Sequence, residues 1–182
     1  FRLPHGISQL LYIYINKYDI LNIKTALRTL LTETASSMIP IGNLYTRNCL
    51  TDLANSRNYE EAGEVLIKGG LADYASIVQS IKEGDPNDLL HSESKLDVMY
   101  YENLSSVMQK VPDNRLLLKS FGIIIDFKNL QIILRAGEDN AENAKNLLLL
   151  NGGYLFTIEM LQEMIPLKLN EIVARLEPTI YY

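Results

Sequence analysis

Two sets of polar residues interrupt apolar helical runs with the same types at the same intervals. In "YDILNIKTALRTLL" Asp19 is followed by Asn22 and Arg28; in "IDFKNLQIILRAGE" Asp126 is followed by Asn129 and Arg135, each at a constant offset of 107 residues. A carboxylate, an amide and a guanidinium can do acid–base chemistry if they converge on one point. At about 100° per residue, an Asp and an Asn three apart share a helix face about 60° wide, whereas an Arg nine residues on falls about 180° away. One helix therefore cannot pair this Asp with this Arg. Two structural readings stay open: the motif makes contacts between helices, or the Asp is an N-cap opening a helix with Asn at its third position and Arg near its negative end.

Other chemistry-bearing residues are sparse. His5 and His91 are the only histidines; a Ser–His pairing in "LLHSESKL", using His91 with Ser92 or Glu93, rests on spacing alone, and Ser92, Glu93 and Ser94 read better as a helix start. Cys49 in "TRNCLTDLA" reads as a small buried hydrophobe on a helix face beside Leu50 and Leu53. Glu60, Glu61 and Glu64 fit the exposed face of a helix start rather than a metal site, which wants histidine partners or a closed loop of oxygen ligands. Neither a GxxxxGK[ST] loop nor a GxGxxG after a strand occurs, so nucleotide binding is unsupported. The expectation is no catalytic residue, no metal ligand and no cofactor. Gly42, Gly152 and Gly153 read as turn glycines.

These residues need elements to hold them. Apolar positions recur at helical spacing through most of the chain, as in Leu10, Leu11, Tyr14, Ile15 and Tyr18, or Leu96, Met99, Tyr100, Leu104, Val107 and Met108. "FGIIID", the one run that could be a buried strand, is flanked by helical pattern and reads as helix or as a kink. The expected fold class is all-α, in about nine helices. Breaks are expected at Ser36–Asn43, Asn55–Asn58, Lys68–Asp73, Glu83–Asp88, Lys110–Asn114, Ala136–Asn140, Asn151–Gly153 and Ile165–Pro166. Asn58 with Glu61, and Asn140 with Glu142 and Asn143, supply acceptors for first-turn N–H groups. Short connections predict antiparallel neighbours.

The 182 residues, 47% hydrophobic, suffice for a real core. One cysteine excludes an intrachain disulfide framework and fits a reducing compartment, with cytoplasm as the default. A net charge of −5 with interspersed signs argues against a nucleic-acid backbone binder. The longest stretch free of charged residues, Leu3 to Asn16, is shorter than the roughly twenty apolar residues of a membrane span, and no secretory leader is signalled. Eleven tyrosines suit helix cores, and a Tyr-lined binding surface stays open beside that.

After each Arg the chain reaches a glycine turn and a further helix, with Gly42 and Gly153 at an offset of 111, so four residues are inserted between motif and turn. A period this long is that of a small domain rather than a solenoid repeat. The expected organisation is a first helical unit over 1–90 with its front missing, a second over 91–164 and the start of a further helical segment over 165–182. The chain opens on Phe1 and its last amphipathic run carries no closing signal, so both ends read as cut from a longer chain.

With "YINKYDILNIKTALR", "IPIGNL", "LDVMYYENL", "IDFKNLQIILRAGED" and "LLLNGGYL" in this order, the chain resembles the C subunit of the archaeal and bacterial A/V-type rotary ATPases, whose eukaryotic counterpart is the V-ATPase d subunit. Members of that family are roughly twice this length and form a funnel of three related helical units. The resemblance implies a non-catalytic rotor component on the cytoplasmic side of the membrane, peripheral to it. It would seat the tip of the central axle, subunits D and F, in its cavity and rest on the proteolipid ring, passing torque between ATP hydrolysis or synthesis and proton or sodium transport. Membrane association would come only through the complex, with no nucleic acid and no small-molecule substrate. Asp19, Asn22, Arg28, Asp126, Asn129 and Arg135 carry the family motif as structural positions. Two other classes stay open: an unrelated helical adaptor binding a protein through a Tyr-rich face, and a small all-α hydrolase built on His91.

Overall fold

The computed structural model describes residues 5–34, 37–136, 141–149 and 152–181. These are helical, without a strand among them; a single antiparallel bridge joins Gly152 to Thr157. The helices are α1 (His5–Thr32), α2 (Asn43–Thr46), α3 (Leu50–Ala54), α4 (Tyr59–Lys68), α5 (Ala72–Gln79), α6 (Pro86–Met108), α7 (Arg115–Ala136), α8 (Ala141–Leu147), α9 (Ile158–Met164) and α10 (Leu169–Leu176). The all-α expectation holds, and "FGIIID" lies inside α7 without a break.

The turns expected at Asn55–Asn58, Lys68–Asp73, Glu83–Asp88, Lys110–Asn114 and Ile165–Pro166 separate successive helices. Those at 36–43, 136–140 and 151–153 fall partly outside the described residues, as does the Asn140 cap. Asn58 caps α4 by accepting from the Glu61 N–H at 2.8 Å, while the Glu61 carboxylate accepts from the Arg57 N–H at 2.9 Å. Three expectations change. A further break parts α2 from α3, because Asn48 turns left-handed at φ 57°, a conformation Asn tolerates. Cys49 is buried as expected, but it sits at the junction before α3 rather than on a helix face. The helix expected to open at Ser92–Ser94 opens earlier, where Pro86 fixes the first turn and Asp85 accepts from the Asn87 and Asp88 N–H groups at 2.9 and 3.2 Å.

Contacts group the chain into Phe1–Val111 and Pro112–Tyr182. The division falls after α6, which is tied to α1. Lys24 pairs with Asp97 and Arg28 with Glu93, both at 2.6 Å, so residue numbers fall along α6 as they rise along α1 and the two helices run antiparallel. Tyr100 adds a hydrogen bond from its hydroxyl to the Tyr14 carbonyl. Ile23, Leu27, Leu44, Leu53, Leu66, Val78 and Leu96 are fully buried in the first unit. In the second, Leu130, Ile133, Phe156, Leu161, Met164 and Ile172 form the core, with Tyr181 packed against it. Such apolar burial is the main force holding each unit. No helix among the described residues is long and apolar enough to cross a membrane.

Candidate functional site

Asp19 lies in the middle of α1, too far from its start to cap it, and it caps a different helix. Its Oδ2 accepts from the Asn43 N–H at 2.8 Å and its Oδ1 from the Leu44 N–H at 2.9 Å, the opening amides of α2. Those amides have no intrahelical partner, and the preceding residue, Gly42, has no side chain to supply one. Of the two structural readings, contact between elements is the one that holds. Asn22, one turn along α1, grips both backbone groups of a single residue. Its Nδ2 donates to the Ile39 carbonyl at 2.9 Å and its Oδ1 accepts from the Ile39 N–H at 2.7 Å. A neighbouring amide pair, Asn43 donating to Asn16, ties the start of α2 to α1 again.

The second motif makes the same bonds. Asp126, in the middle of α7, accepts from the N–H groups of Tyr154 at 2.9 Å, Leu155 at 2.7 Å and Phe156 at 3.3 Å. Asn129 donates to the Leu149 carbonyl at 3.2 Å and accepts from the Leu149 N–H at 2.6 Å. Gly153 closes the turn with its N–H on the Phe156 carbonyl at 2.9 Å, and the converging amides form an anion nest that the side chain fills. Asp19, Asn22, Asp126 and Asn129 are all buried.

The glycines are explained by the carboxylates. A Cβ on Gly42 would overlap the Asp19 carboxylate, and one on Gly153 would overlap that of Asp126. Gly42 also has a left-handed φ of 115°, as Gly152 has at 107°.

Several partners are absent from the sequence reading. Glu93 receives Arg28 in a two-pronged contact, Nε on Oε1 and Nη2 on Oε2, both at 2.6 Å. Arg135, in the last turn of α7, is exposed as Arg28 is, and the Glu93 contact is what marks Arg28. Tyr181 donates its hydroxyl to Asp126 at 2.6 Å. In the first unit Tyr74, again 107 residues earlier, lies within the field of Asp19. Lys68, ending α4, bonds Asp52 of α3 at 2.8 Å, and Arg175, near the end of α10, bonds Glu163 of α9 at 3.0 Å. The signal for these was the same pair of offsets, 107 for Tyr74 with Tyr181 and Lys68 with Arg175, and 111 for Asp52 with Glu163.

Burial holds the Asp19 carboxyl above its ordinary pKa, against the pull of the Leu44 and Asn43 amides. Burial also raises the Tyr181 phenol, and the hydrogen bond that it donates to the Asp126 carboxylate raises it further. These shifts belong to groups whose hydrogen bonds are spent on the fold, Asp19 on two backbone amides and Tyr181 on Asp126. His91 and Ser92 are adjacent on α6 and so point about 100° apart, while both Glu93 oxygens are taken by Arg28. No group of three His, Cys, Asp or Glu side chains among the described residues could hold a metal. The exposed side of the first unit is different: Leu11, Tyr12, Ile15, Ile41 and Tyr45 line a shallow open groove between α1 and the start of α2. Tyr59, Tyr74 and Tyr100 are buried, whereas Tyr12, Tyr14, Tyr45 and Tyr154 are exposed.

The A-type ATP synthase C subunit of Methanococcoides burtonii is 34% identical over 93% of this chain and 48% of its own length. The protein of the same name from Methanosarcina acetivorans is 30% identical over 81% of this chain and 41% of its own. That of Methanocaldococcus jannaschii is 26% identical over 98% and 46%. The chain thus spans about half the length of the curated relatives it matches. No solved structure matches it. The sequence profile of the ATP synthase (C/AC39) subunit family matches residues 3–182, and the chain belongs to that family.

Proposed function

We propose that this chain supplies two copies of one helical unit to a non-catalytic coupling subunit of an A/V-type ATP synthase or ATPase. The subunit is a socket on the cytoplasmic side of the membrane. It receives the central axle, subunits D and F, rests on the proteolipid ring and transmits torque between them without binding a cofactor or small-molecule substrate. The family match over residues 3–182 carries this reading. The two Asp–Asn clamps support it, because a part that transmits torque needs helices and turns locked to one another. Asp19, Asn22, Asp126 and Asn129 are the structural motif of the unit, with Gly42 and Gly153 as the turns they hold. Arg28 closes the first unit against Glu93.

Native mass spectrometry of the folded chain mixed with subunits D and F tests the socket directly. A complex containing all three is expected, and a folded chain that leaves the D–F pair free overturns the reading. One observation favours a second reading. The groove lined by Leu11, Tyr12, Ile15, Ile41 and Tyr45 is an exposed apolar patch of the kind that marks protein contacts, and it fits an adaptor that binds a protein through a Tyr-rich face. Tyr12→Asp with Tyr45→Asp separates the two. Retained D–F association in this variant assigns the groove to another partner.

A further inference from the structure

One face of α7 is open where the matching face of α1 is covered. At the offset of 107, Ile20 corresponds to Phe127, Leu27 to Leu134 and Arg28 to Arg135. Ile20 and Leu27 are 3% and 0% exposed, whereas Phe127 and Leu134 are each 49% exposed, as is Ile124 one turn before. Positions 124, 127, 131, 134 and 135 follow one another along a single stripe of a helix. On α1 the corresponding stripe carries Lys17, Ile20, Lys24, Leu27 and Arg28, so that Ile124 stands where α1 has a lysine, and α6 lies along it, fixed by Asp97 on Lys24 and Glu93 on Arg28. The tyrosine beside the stripe corresponds too. Tyr74 accepts a hydrogen bond from Asn103 of α6, and Tyr181 stacks 5.0 Å from the Phe127 ring.

We propose that this stripe of α7 docks an acidic amphipathic helix of the α6 pattern, antiparallel to α7. Its apolar seam covers Ile124, Phe127 and Leu134, and one carboxylate grips Arg135 as Glu93 grips Arg28. Gln131 stands where Lys24 stands, so the second ion pair has no counterpart and one carboxylate suffices. The inference rests on the two-copy reading above. It does not depend on the axle.

The probe is a labelled synthetic peptide with the sequence of residues 86–108 carrying Asp97→Asn, titrated into the full chain and followed by fluorescence anisotropy. Saturable binding is expected, weakened tenfold or more by Leu134→Asp and by Arg135→Glu in the chain. A peptide that also carries Glu93→Lys should regain affinity for Arg135→Glu, a charge exchange that mere damage to the fold cannot mimic. Circular dichroism verifies that both variants stay helical. Absence of saturable binding overturns the proposal, as does binding that responds to Arg28→Glu in place of Arg135→Glu, since the peptide would then be displacing α6 from α1. Dimerisation of the chain through the stripe also overturns it and assigns the face to a second copy. Peptide binding without D–F association would sink the socket and leave the docking face standing; the reverse result would do the opposite.

Discussion

Replacing Asp126 by alanine removes the acceptor for three backbone N–H groups and the Tyr181 hydroxyl at once. Their costs differ. Tyr154 and Leu155 are exposed residues, so water can reach their amides, whereas Phe156 is 3% exposed and its N–H is stranded. A stranded buried donor costs about 1–3 kcal/mol, and each lost bond to a charged acceptor about 1.5–3 kcal/mol before water compensates. With water replacing two of the four, a loss of about 3–5 kcal/mol results, a large share of the roughly 5–15 kcal/mol of a typical domain. Asp19→Ala removes only two N–H partners, and burial already opposes that carboxylate. Its loss should be smaller, about 2–3 kcal/mol. Urea unfolding read by hydrogen exchange resolves each unit separately. In Asp126→Ala, amide protection at 154–156 should fall while that at 43 and 44 persists. A loss below about 0.5 kcal/mol, the range of ordinary surface substitutions, with protection at 154–156 unchanged, would refute the clamp.

Three further outcomes follow from the same geometry. Asn22→Asp keeps the acceptor for the Ile39 N–H but sets a carboxylate against the Ile39 carbonyl, and Asn129→Asp does the same at Leu149; each should cost about 2–3 kcal/mol in chemical denaturation. Gly42→Ala strains a left-handed turn and drives a methyl into the Asp19 carboxylate, so thermal melting should show a loss of about 2 kcal/mol or more. Tyr59, Tyr74, Tyr100, Tyr101 and Tyr181 all have phenols raised above the ordinary value by burial, Tyr101 to about 12. A raised folded pKa means these groups favour the fold below about pH 10, the unfolded value, and withdraw that support as pH rises through their folded values. Phenolate absorbance should therefore show these five titrating above about pH 10, with stability declining in step.

The helices were legible in the sequence because their signals are local. Apolar spacing marked the long ones, and Asn58 with the breaks at Lys68–Asp73 and Glu83–Asp88 marked where they start and stop. The α2–α3 break was not legible, since a lone left-handed Asn48 in "TRNCLTDLA" has the same composition as a helix. Within the site, the Asp, Asn and Gly positions were visible as a recurring set, yet nothing in their spacing told which backbone they would hold. Asp19 reaches amides 24 and 25 residues away and Asn22 a residue 17 away, distances over which periodicity carries no information. Glu93 was hidden for the same reason: its partner is 65 residues distant. Its neighbours Ser92 and Ser94 instead give it the local look of a helix start.

That distance also explains why the motif takes this form. A side chain that caps its own helix steadies one turn and releases little when lost. Asp126 ties the middle of α7 to a turn 28 to 30 residues later, so it holds the turn from which α9 departs. The entropy of closing such a loop grows only slowly with length, which makes one buried carboxylate an economical tie for a long connection. The glycine then follows from the carboxylate and, at Gly153, from the Gly122 carbonyl as well, because only a residue without Cβ lets the turn approach both. Substituting Asp and Gly together should be less damaging than the sum of the two: in Asp126→Ala with Gly153→Ala, the methyl loses its clash with the carboxylate and keeps only the one with the Gly122 carbonyl. A double-mutant cycle on the second unit should give a favourable coupling of about 1–2 kcal/mol. Strict additivity would mean that the glycine is required by the backbone alone and not by the acid it faces.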